Sequence, residues 1–517
     1  MHTNPYTKDN ARQGALHYLM GRGVAGIAGF LTVILLVRFM DVQNYAAYTA
    51  LSGLVAMCGV LSGLGIERII SRYVPEGRLY RTTNELGRFI WMTSIIRLTA
   101  SLLVTLVLYF LWPAIDRFLA VSDFKFFSFA LACFIVSEVM FQHFSSVLQA
   151  LVMQKKLTQL LVIQWAGRLV LIAAFVFMNS LISWEDALWV FAIPEVIGVA
   201  WFVVVIKRHL QGLSNPDRTE TTKAHWPNWG NVADVGMHNY GFTLLAAPPQ
   251  GYFMKLLTSA YLSAEVVAAY GFFISIAEKA RQYIPLHFFY GLLEPMMVAS
   301  YLKDRDFSAL SQRCQMLYKS NLLLMVPAIA WVAVAGDPIV SVMTGGKFQG
   351  LSWILLLVMV QLTIGSHVVL LQLILNSLEK SRLLISASIV ALPVMLLSMA
   401  ISVQISPIWL LCTPILFSLV MNLYILLQLA IAKHPYKPSW KMLSGVSLSG
   451  LAAFVVNDLF GVVIPFESTQ IMTAITTFLG VLTVYSLLIW LSRTIVRSEI
   501  DLIKGILFNI RQSKAGA

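Results

Sequence analysis

The feature that most constrains this chain is a run of about 20 apolar residues, the length a helix needs to cross the hydrocarbon of a bilayer. Such runs follow one another along almost all of the 517 residues, separated by short polar turns. Inside a bilayer each segment must satisfy its own backbone N–H and C=O groups, so runs of this length are helices. They fall at residues 14–37, 45–65, 89–110, 126–147, 160–177, 187–206, 241–257, 264–299, 316–334, 351–374, 383–403, 408–430, 442–463 and 471–491. The expected fold is an all-α polytopic membrane protein of about 14 transmembrane helices. Composition agrees, with 58% hydrophobic and 12% charged residues and a mean hydropathy of +0.75. A soluble domain carries roughly 25% charged residues. These values exclude an ordinary soluble enzyme, a disordered chain and a nucleic-acid-binding domain. The net charge of +12 therefore does not signal a nucleic-acid partner.

Positive charge instead sets orientation, because basic residues gather in cytoplasmic loops. An even number of spans puts both termini on one side. With that side cytoplasmic, the outer segments hold only Arg38, Arg117, Lys125 and Lys347 of the 37 Lys and Arg, and six more lie within spans. The rest fall inside, as the rule requires. The first apolar run is too long for a signal h-region and lacks a small-residue cleavage pattern, so it reads as the first span.

The longest internal polar stretch, 207–240, divides the chain. Residues 1–206 read as an N-terminal six-helix lobe, 207–240 as a cytoplasmic linker and 241–430 as a C-terminal six-helix lobe. Residues 431–491 hold transmembrane helices 13 and 14. Residues 492–517 read as a cytoplasmic amphipathic tail, with Ile500, Leu502, Ile503, Ile506 and Leu507 alternating with basic positions. Ala46-Ala47-Tyr48 recurs as Ala268-Ala269-Tyr270 at the equivalent place in the second lobe. Paired lobes around a central cavity are a transporter plan.

Enzyme signatures are weak. Gly21-Arg22-Gly23-Val24-Ala25-Gly26 matches GxGxxG, but no strand precedes it. Gly21, Gly23, Gly26 and Gly29 instead suit close approach of a second helix. There is no Walker A pattern, and Cys58, Cys133, Cys314 and Cys412 share no metal-binding or disulfide spacing. Glu185-Asp186 sits in an outer loop too short to hold an acceptor. The expectation is a non-enzyme without cofactor or metal. His143, His287 and His367 stand alone on apolar helices and read as packing residues.

The informative residues are charges inside spans, each costing roughly 2.5–3.5 kcal/mol at a helix centre unless it faces a cavity or a partner. The cations are Arg22, Arg97, Arg168, Lys255, Lys279 and Arg281. The anions are Glu138, Glu195, Glu278, Glu294 and Asp458. Arg22, Arg97 and Arg168 each sit about 12 Å above the inner boundary at 1.5 Å per residue, and Lys279 and Arg281 descend to a similar level. A basic zone of this kind suits phosphate or pyrophosphate, whose oxygens guanidinium groups bind bidentately. Two readings stay open. Glu278 and Arg281 can pair on one helix, Glu138 and Glu195 can neutralise Arg97 or Arg168, and Lys255 can snorkel at a helix end. The seventh span contains Ala246-Ala247-Pro248-Pro249-Gln250-Gly251. Its prolines lack ladder donors, so a break is expected at Pro248, Pro249 and Gly251, either a hinge beside a cavity or a static kink.

Several short motifs resemble the polysaccharide flippases of the multidrug/oligosaccharidyl-lipid/polysaccharide (MOP) exporter superfamily. They are Arg38-Phe39-Met40-Asp41 with Tyr45 and Tyr48, Gly63-Leu64-Gly65, and Arg72-Tyr73 with Glu76. Further along come Gly345-Gly346-Lys347-Phe348 and Asn376-Ser377-Leu378-Glu379-Lys380. Ala46 stands where those proteins usually have glycine. Arg22 looks like the cavity arginine of the related peptidoglycan-precursor flippase. The resemblance implies alternating-access translocation of a polyprenyl-pyrophosphate-linked oligosaccharide across a bacterial inner (cytoplasmic) membrane, for cell-surface polysaccharides such as lipopolysaccharide or exopolysaccharide. Its partners would be that lipid-linked oligosaccharide, membrane lipids and other polysaccharide-assembly proteins. Arg22, Lys279 and Arg281, with Arg97, Arg168 and Lys255, would meet the head group, and Glu278 or Glu138 would couple a proton or sodium gradient. The alternatives are a multidrug antiporter of the same superfamily, which should prefer an acidic cavity, and a membrane polysaccharide polymerase or ligase, which should carry a large outer loop.

Overall fold

The computed structural model describes residues 8–119, 124, 126–179, 181–212, 226–288, 290, 294, 297, 298, 301, 305–436, 440–463 and 469–492. The described residues form helices and no strands. In the first part of the chain these are α1 (Lys8–Phe39), α2 (Val42–Leu61), α3 (Ile66–Tyr80), α4 (Thr83–Phe118), α5 (Phe129–Ala150), α6 (Gln154–Asn179), α7 (Trp184–Gly212), α8 (Trp229–Leu245), α9 (Gly251–Tyr261) and α10 (Ala264–Arg281). They continue as α11 (Phe307–Thr344), α12 (Ser352–Ser377), α13 (Arg382–Ile405), α14 (Thr413–Ile431), α15 (Trp440–Val463) and α16 (Gln470–Leu491). Ten helices among the described residues are long and apolar enough to cross a membrane, and Gly23–Phe39 and Leu443–Leu459 are shorter apolar segments. The chain is an all-α polytopic membrane protein. The expected tail, 492–517, lies outside the described residues beyond Ser492.

Burial explains which solvent surrounds the helices. Of the most apolar stretch of α4, 22% is buried. Ile95, Leu102, Leu103, Leu106 and Phe110 point outward, while Thr93, Ser94, Arg97, Ser101 and Thr105 point inward. A helix in water would do the reverse. With hydrocarbon outside, leaving leucine exposed costs nothing and leaving arginine exposed costs several kcal/mol. The inward hydroxyls are satisfied on their own helix, Thr93 on Phe89 and Ile90 and Thr105 on Ser101.

Chain turns are specified locally. Asp41 caps α2 by accepting from the Asn44 N–H at 2.7 Å. Thr82 and Glu85 form a reciprocal capping box at the start of α4. Asp306 caps α11, and the left-handed Gly345 ends it.

The chain divides into two compact units, residues 1–276 with 402–410, and residues 277–401 with 411–517. In the first, α5 and α7 pack together, as do α1 and α6, and α2 and α9. A Cβ at Gly21 would collide with Thr158 of α6, so this glycine lets the two helices touch, whereas Gly23 faces open space. In the second unit α11 packs against α12, α15 and α16. It bends where Ala335 leaves helical geometry, between Pro327 and Pro338. The Trp331 indole N–H donates to the Ala474 carbonyl of α16 at 3.0 Å.

The second and seventh spans differ from the sequence expectation. The second span ends at Leu61 rather than 65, and a separate amphipathic helix, α3, follows. Its Ile66, Ile69, Ile70, Tyr73, Val74 and Gly77 are buried against α5, α4 and α8, each large apolar side chain contributing roughly 1.5–3 kcal/mol. Its mixed composition hid it from an apolar window. The seventh span likewise starts earlier, at Trp229, because Asn228 caps α8. The polar residues Asn231, Asp234 and His238 kept this part out of the apolar count. Helix therefore occupies both ends of the stretch 207–240.

The α2–α3 turn is sterically fixed. Leu64 and Gly65 both adopt positive φ, 48° and 66°, and a Cβ on Gly65 would run into the backbone of Gly236 in α8. Gly65→Val should lower stability by about 2–5 kcal/mol, adding left-handed strain to overpacking. Thermal unfolding of the detergent-solubilised protein measures this, and an unchanged melting temperature contradicts the close approach.

Candidate functional site

A polar cavity of about 500 Å³ lies in the first unit, within the 300–1,000 Å³ usual for small-molecule sites. Its walls come from α2 (Ala56, Gly59, Val60), the turn at Gly63 and Gly65, and α3 (Ile66, Glu67, Arg68, Ser71). Arg97 of α4, Gln142 of α5, Asn239, Tyr240 and Thr243 of α8, and Tyr252 of α9 complete it. The early end of α2 creates the space. The Tyr240 hydroxyl donates to the Leu61 carbonyl at 2.7 Å and so ties α8 to that end. The Trp226 indole donates to Glu76 at 3.0 Å, fixing α3 to the chain just before α8.

Arg97 dominates the electrostatics. It is 1% exposed. Nη2 donates to the Gly59 carbonyl at 3.2 Å and stands 4.0 Å from Glu67 Oε1, while Nε and Nη1 have no hydrogen-bond partner. A buried donor without a partner costs about 1–3 kcal/mol, more when charged. Gly63 makes room for this guanidinium, since a Cβ there would come within 3.3 Å of Nη1. Arg68 and Glu67 are exposed, so the lining carries two cations and one anion.

Arg168 is differently placed. It is buried in α6, and its Nη2 bonds Glu195 Oε1 of α7 at 2.6 Å. Its guanidinium lies 4.2 Å from the Trp165 ring centre and 4.4 Å from that of Phe191. Ser137 donates to the other Glu195 oxygen at 3.1 Å. Glu138 lies within hydrogen-bonding reach of Glu195 and accepts from the Gln142 amide at 2.6 Å. This group is an interhelical ion pair, and Arg168 is absent from the cavity lining.

The remaining sequence candidates are dispersed. The side chain of Arg22 lies outside the described residues. The Lys255 ammonium donates to Ser275 Oγ at 3.2 Å. Glu278, Lys279 and Arg281 occupy the last turn of α10, Arg281 exposed and Lys279 half-buried and engaged. Lys279 and Arg281 belong to the second unit. The break at 246–250 is present: α8 stops at Leu245 and α9 begins at Gly251, with Pro248 and Pro249 in the turn. The eighth span also breaks, after Arg281, before helix resumes at Pro285. Each lone histidine has a polar partner, His143 with Ser94 at 2.8 Å, His287 with Ser366 at 3.1 Å and His367 with Asn422 at 2.8 Å.

The sequence reading missed Glu67, Arg68, Gln142, Asn239, Tyr240 and Thr243. The first two lie on the unrecognised α3, whose apolar spacing at 66, 69, 70, 73, 74 and 77 was the available signal. The others are uncharged or lie in the polar part of α8.

A family model described as "Polysaccharide biosynthesis protein" matches residues 11–285, more than half of the chain and all of the cavity. The chain belongs to the polysaccharide biosynthesis protein family. No protein of curated function matches it in sequence. Among solved structures it is similar to the lipid II flippase MurJ in an inward-closed conformation, with 12% identity, a TM-score of 0.67, and coverage of 92% of this chain and 98% of the other. It is also similar to a mutant of the Vibrio cholerae MATE transporter VcmN (17%, TM-score 0.54, coverage 82% and 98%). An inward-facing multidrug-resistance MATE family transporter of the MOP superfamily is a third such structure (11%, TM-score 0.55, coverage 81% and 99%). At these identities the likeness is one of fold. In this member of the polysaccharide biosynthesis protein family, the Gly63-Leu64-Gly65 motif forms the cavity turn. The Gly345-Gly346-Lys347-Phe348 motif forms the left-handed end of α11, with φ of 71°, 89° and 62° at 345, 346 and 348.

Breaking a buried ion pair strands the surviving charge, whereas replacing both members with apolar groups is near neutral. Arg168→Met should therefore cost about 3–5 kcal/mol and the double change R168M/E195M far less. Melting curves of the single and double variants decide this, and equal losses refute a structural pair.

Proposed function

We propose that the chain is a flippase that carries a polyprenyl-pyrophosphate-linked oligosaccharide across a bacterial cytoplasmic membrane by alternating access, for cell-surface polysaccharide synthesis. The observation that carries this reading is the basic, partly uncompensated Arg97 cavity inside a lipid-surrounded bundle of this family. The fold likeness to a lipid II flippase supports it. The hydrophobic tail can stay in lipid while only the anionic head group needs a polar chamber. On this reading the chain is a transporter and performs no bond chemistry, both termini are cytoplasmic, and the cavity accepts the head group from that side. A cavity whose charged lining is predominantly basic argues against export of organic cations.

Arg97 and Arg68 supply the attraction, Lys255 a further positive charge on the broken helix beside them, and Pro248, Pro249 and Gly251 a hinge in the cavity wall. Arg22, Lys279 and Arg281 are further head-group candidates. Coupling to a proton or sodium gradient falls to Glu138, whose partner Gln142 reaches the cavity, or to Glu278. Residues 1–206 and 241–430 are the two lobes of this cycle, joined by 207–240.

Deleting the gene should leave lipid-linked saccharide accumulated on the inner leaflet, and the intact gene should restore export. Arg97→Gln should fail to restore it, with at least a tenfold loss in rate. Arg22→Ala and Arg281→Ala test the other head-group contacts. Export by all three variants at the wild-type rate sinks the head-group role.

A further inference from the structure

The neutral polar groups around the Arg97 cavity have already committed donors. The Asn239 amide donates to the Val235 carbonyl at 2.7 Å, the Thr243 hydroxyl to Asn239 at 2.9 Å and the Tyr240 hydroxyl to Leu61 at 2.7 Å. The Gln142 amide donates to Glu138 at 2.6 Å and the Ser71 hydroxyl to Arg68 at 2.9 Å. Among the described lining residues, Arg97 is the one with buried donors, Nε and Nη1, that lack a partner. The charged donors of the site are those of Arg97 and the exposed Arg68, which favours an anion with several oxygens over a neutral sugar.

Glu67 modifies that offer. It sits in the first turn of α3, its side chain 59% exposed, with Oε1 at 4.0 Å from Arg97 Nη2. That distance is at the limit of an ion pair, and an exposed carboxylate contributes at most about 1 kcal/mol. Glu67 thus partly neutralises the guanidinium without satisfying it. With Glu67 turned toward solvent, Arg97 and Arg68 leave a charge of +2 on the lining, which matches a pyrophosphate bridging two substituents, with one negative charge on each phosphate. With Glu67 in place the lining carries +1, and every anion meets a weaker attraction.

We propose that Glu67 is a displaceable internal counter-ion that holds down the cavity's affinity for anions until one displaces it, with Arg97 as the anion-binding group. This deepens the flippase reading and rests on it for the biological ligand, but not for the binding event. On binding, Glu67 yields its place to the anion, and it regains that place on release. The turn before it, held at Gly65 against Gly236, keeps the helix start fixed while the side chain moves.

The test is binding of inorganic pyrophosphate and inorganic phosphate to the purified full-length protein in detergent, by calorimetry at low and high salt. Wild type should bind pyrophosphate more tightly than phosphate. Glu67→Gln should tighten both anions by up to about fivefold, pyrophosphate at least as much as phosphate, with the gain shrinking in high salt. Arg97→Gln should weaken pyrophosphate at least tenfold, and Arg97→Lys should restore only part, since it keeps charge but not the fork. Arg68→Gln, at an exposed position, gives a variant free of folding effects and should weaken binding by a smaller factor. No gain in anion affinity in Glu67→Gln, or full binding by Arg97→Gln, overturns the proposal. Translocation of lipid-linked saccharide by a wild type that binds no pyrophosphate also overturns it while sparing the flippase reading. Pyrophosphate binding with no translocation has the opposite consequence.

Discussion

Hydrocarbon around the bundle forces every polar group to find its partner inward, and the architecture follows from how each one does so. Serine and threonine on α4 fold back onto carbonyls one turn earlier. Arg168 takes Glu195 from the neighbouring helix and lies between two aromatic rings. Such a pair gives back little net stability once desolvation is counted, but it fixes which faces of α6 and α7 meet. Arg97 has only one carbonyl and a distant carboxylate. Its Nε and Nη1 keep no partner, and among the described residues that line the cavity this is the remainder that makes it chemically active.

The cavity itself is a consequence of chain geometry. Had α2 continued to residue 65, its last turn would have filled the space beside Arg97. Instead Ser62 ends the helix, two positive-φ residues reverse the chain, and α3 is laid across the base of α4 and α5. Its apolar side closes the core, so Glu67, Arg68 and Ser71 are left on the cavity side. One amphipathic helix both seals the bundle and supplies the cavity with charge.

The spans were legible because length and hydropathy are summed quantities that survive errors of a few residues. The break at Pro248 and Pro249 was legible because a missing donor is a property of the residue itself. The partners of the charges were not legible. Arg97 and Arg168 look alike in sequence, each an arginine within an apolar run. What separates them is Glu195, brought to Arg168 by the packing of α7 on α6, and no local pattern encodes that. Helix α3 escaped because its hydropathy averages out, leaving periodicity as its signal. Gln142, Asn239 and Thr243 escaped because an uncharged polar residue in a span is common and most often bonds its own backbone, as Thr243 does.

The broken helix gains its meaning from the same accounting. A continuous helix through residues 246–250 would present a closed backbone ladder to the cavity. Pro248 and Pro249 remove two donors from it, and the turn recovers bonds from Ala246 to Phe242 and from Gln250 to Ala247. Such a break survives in a membrane only where protein or water covers the backbone. Tyr252 on one side of it, and Asn239, Tyr240 and Thr243 on the other, line the cavity, so this wall of the cavity is the one with the weakest ladder. A rotation there alters the cavity without disturbing the Arg168–Glu195 pair, which is borne on α6 and α7. The unit thus keeps a buried ion pair on α6 and α7 apart from the broken polar wall of α8 and α9, and carries Arg97 on the unbroken α4.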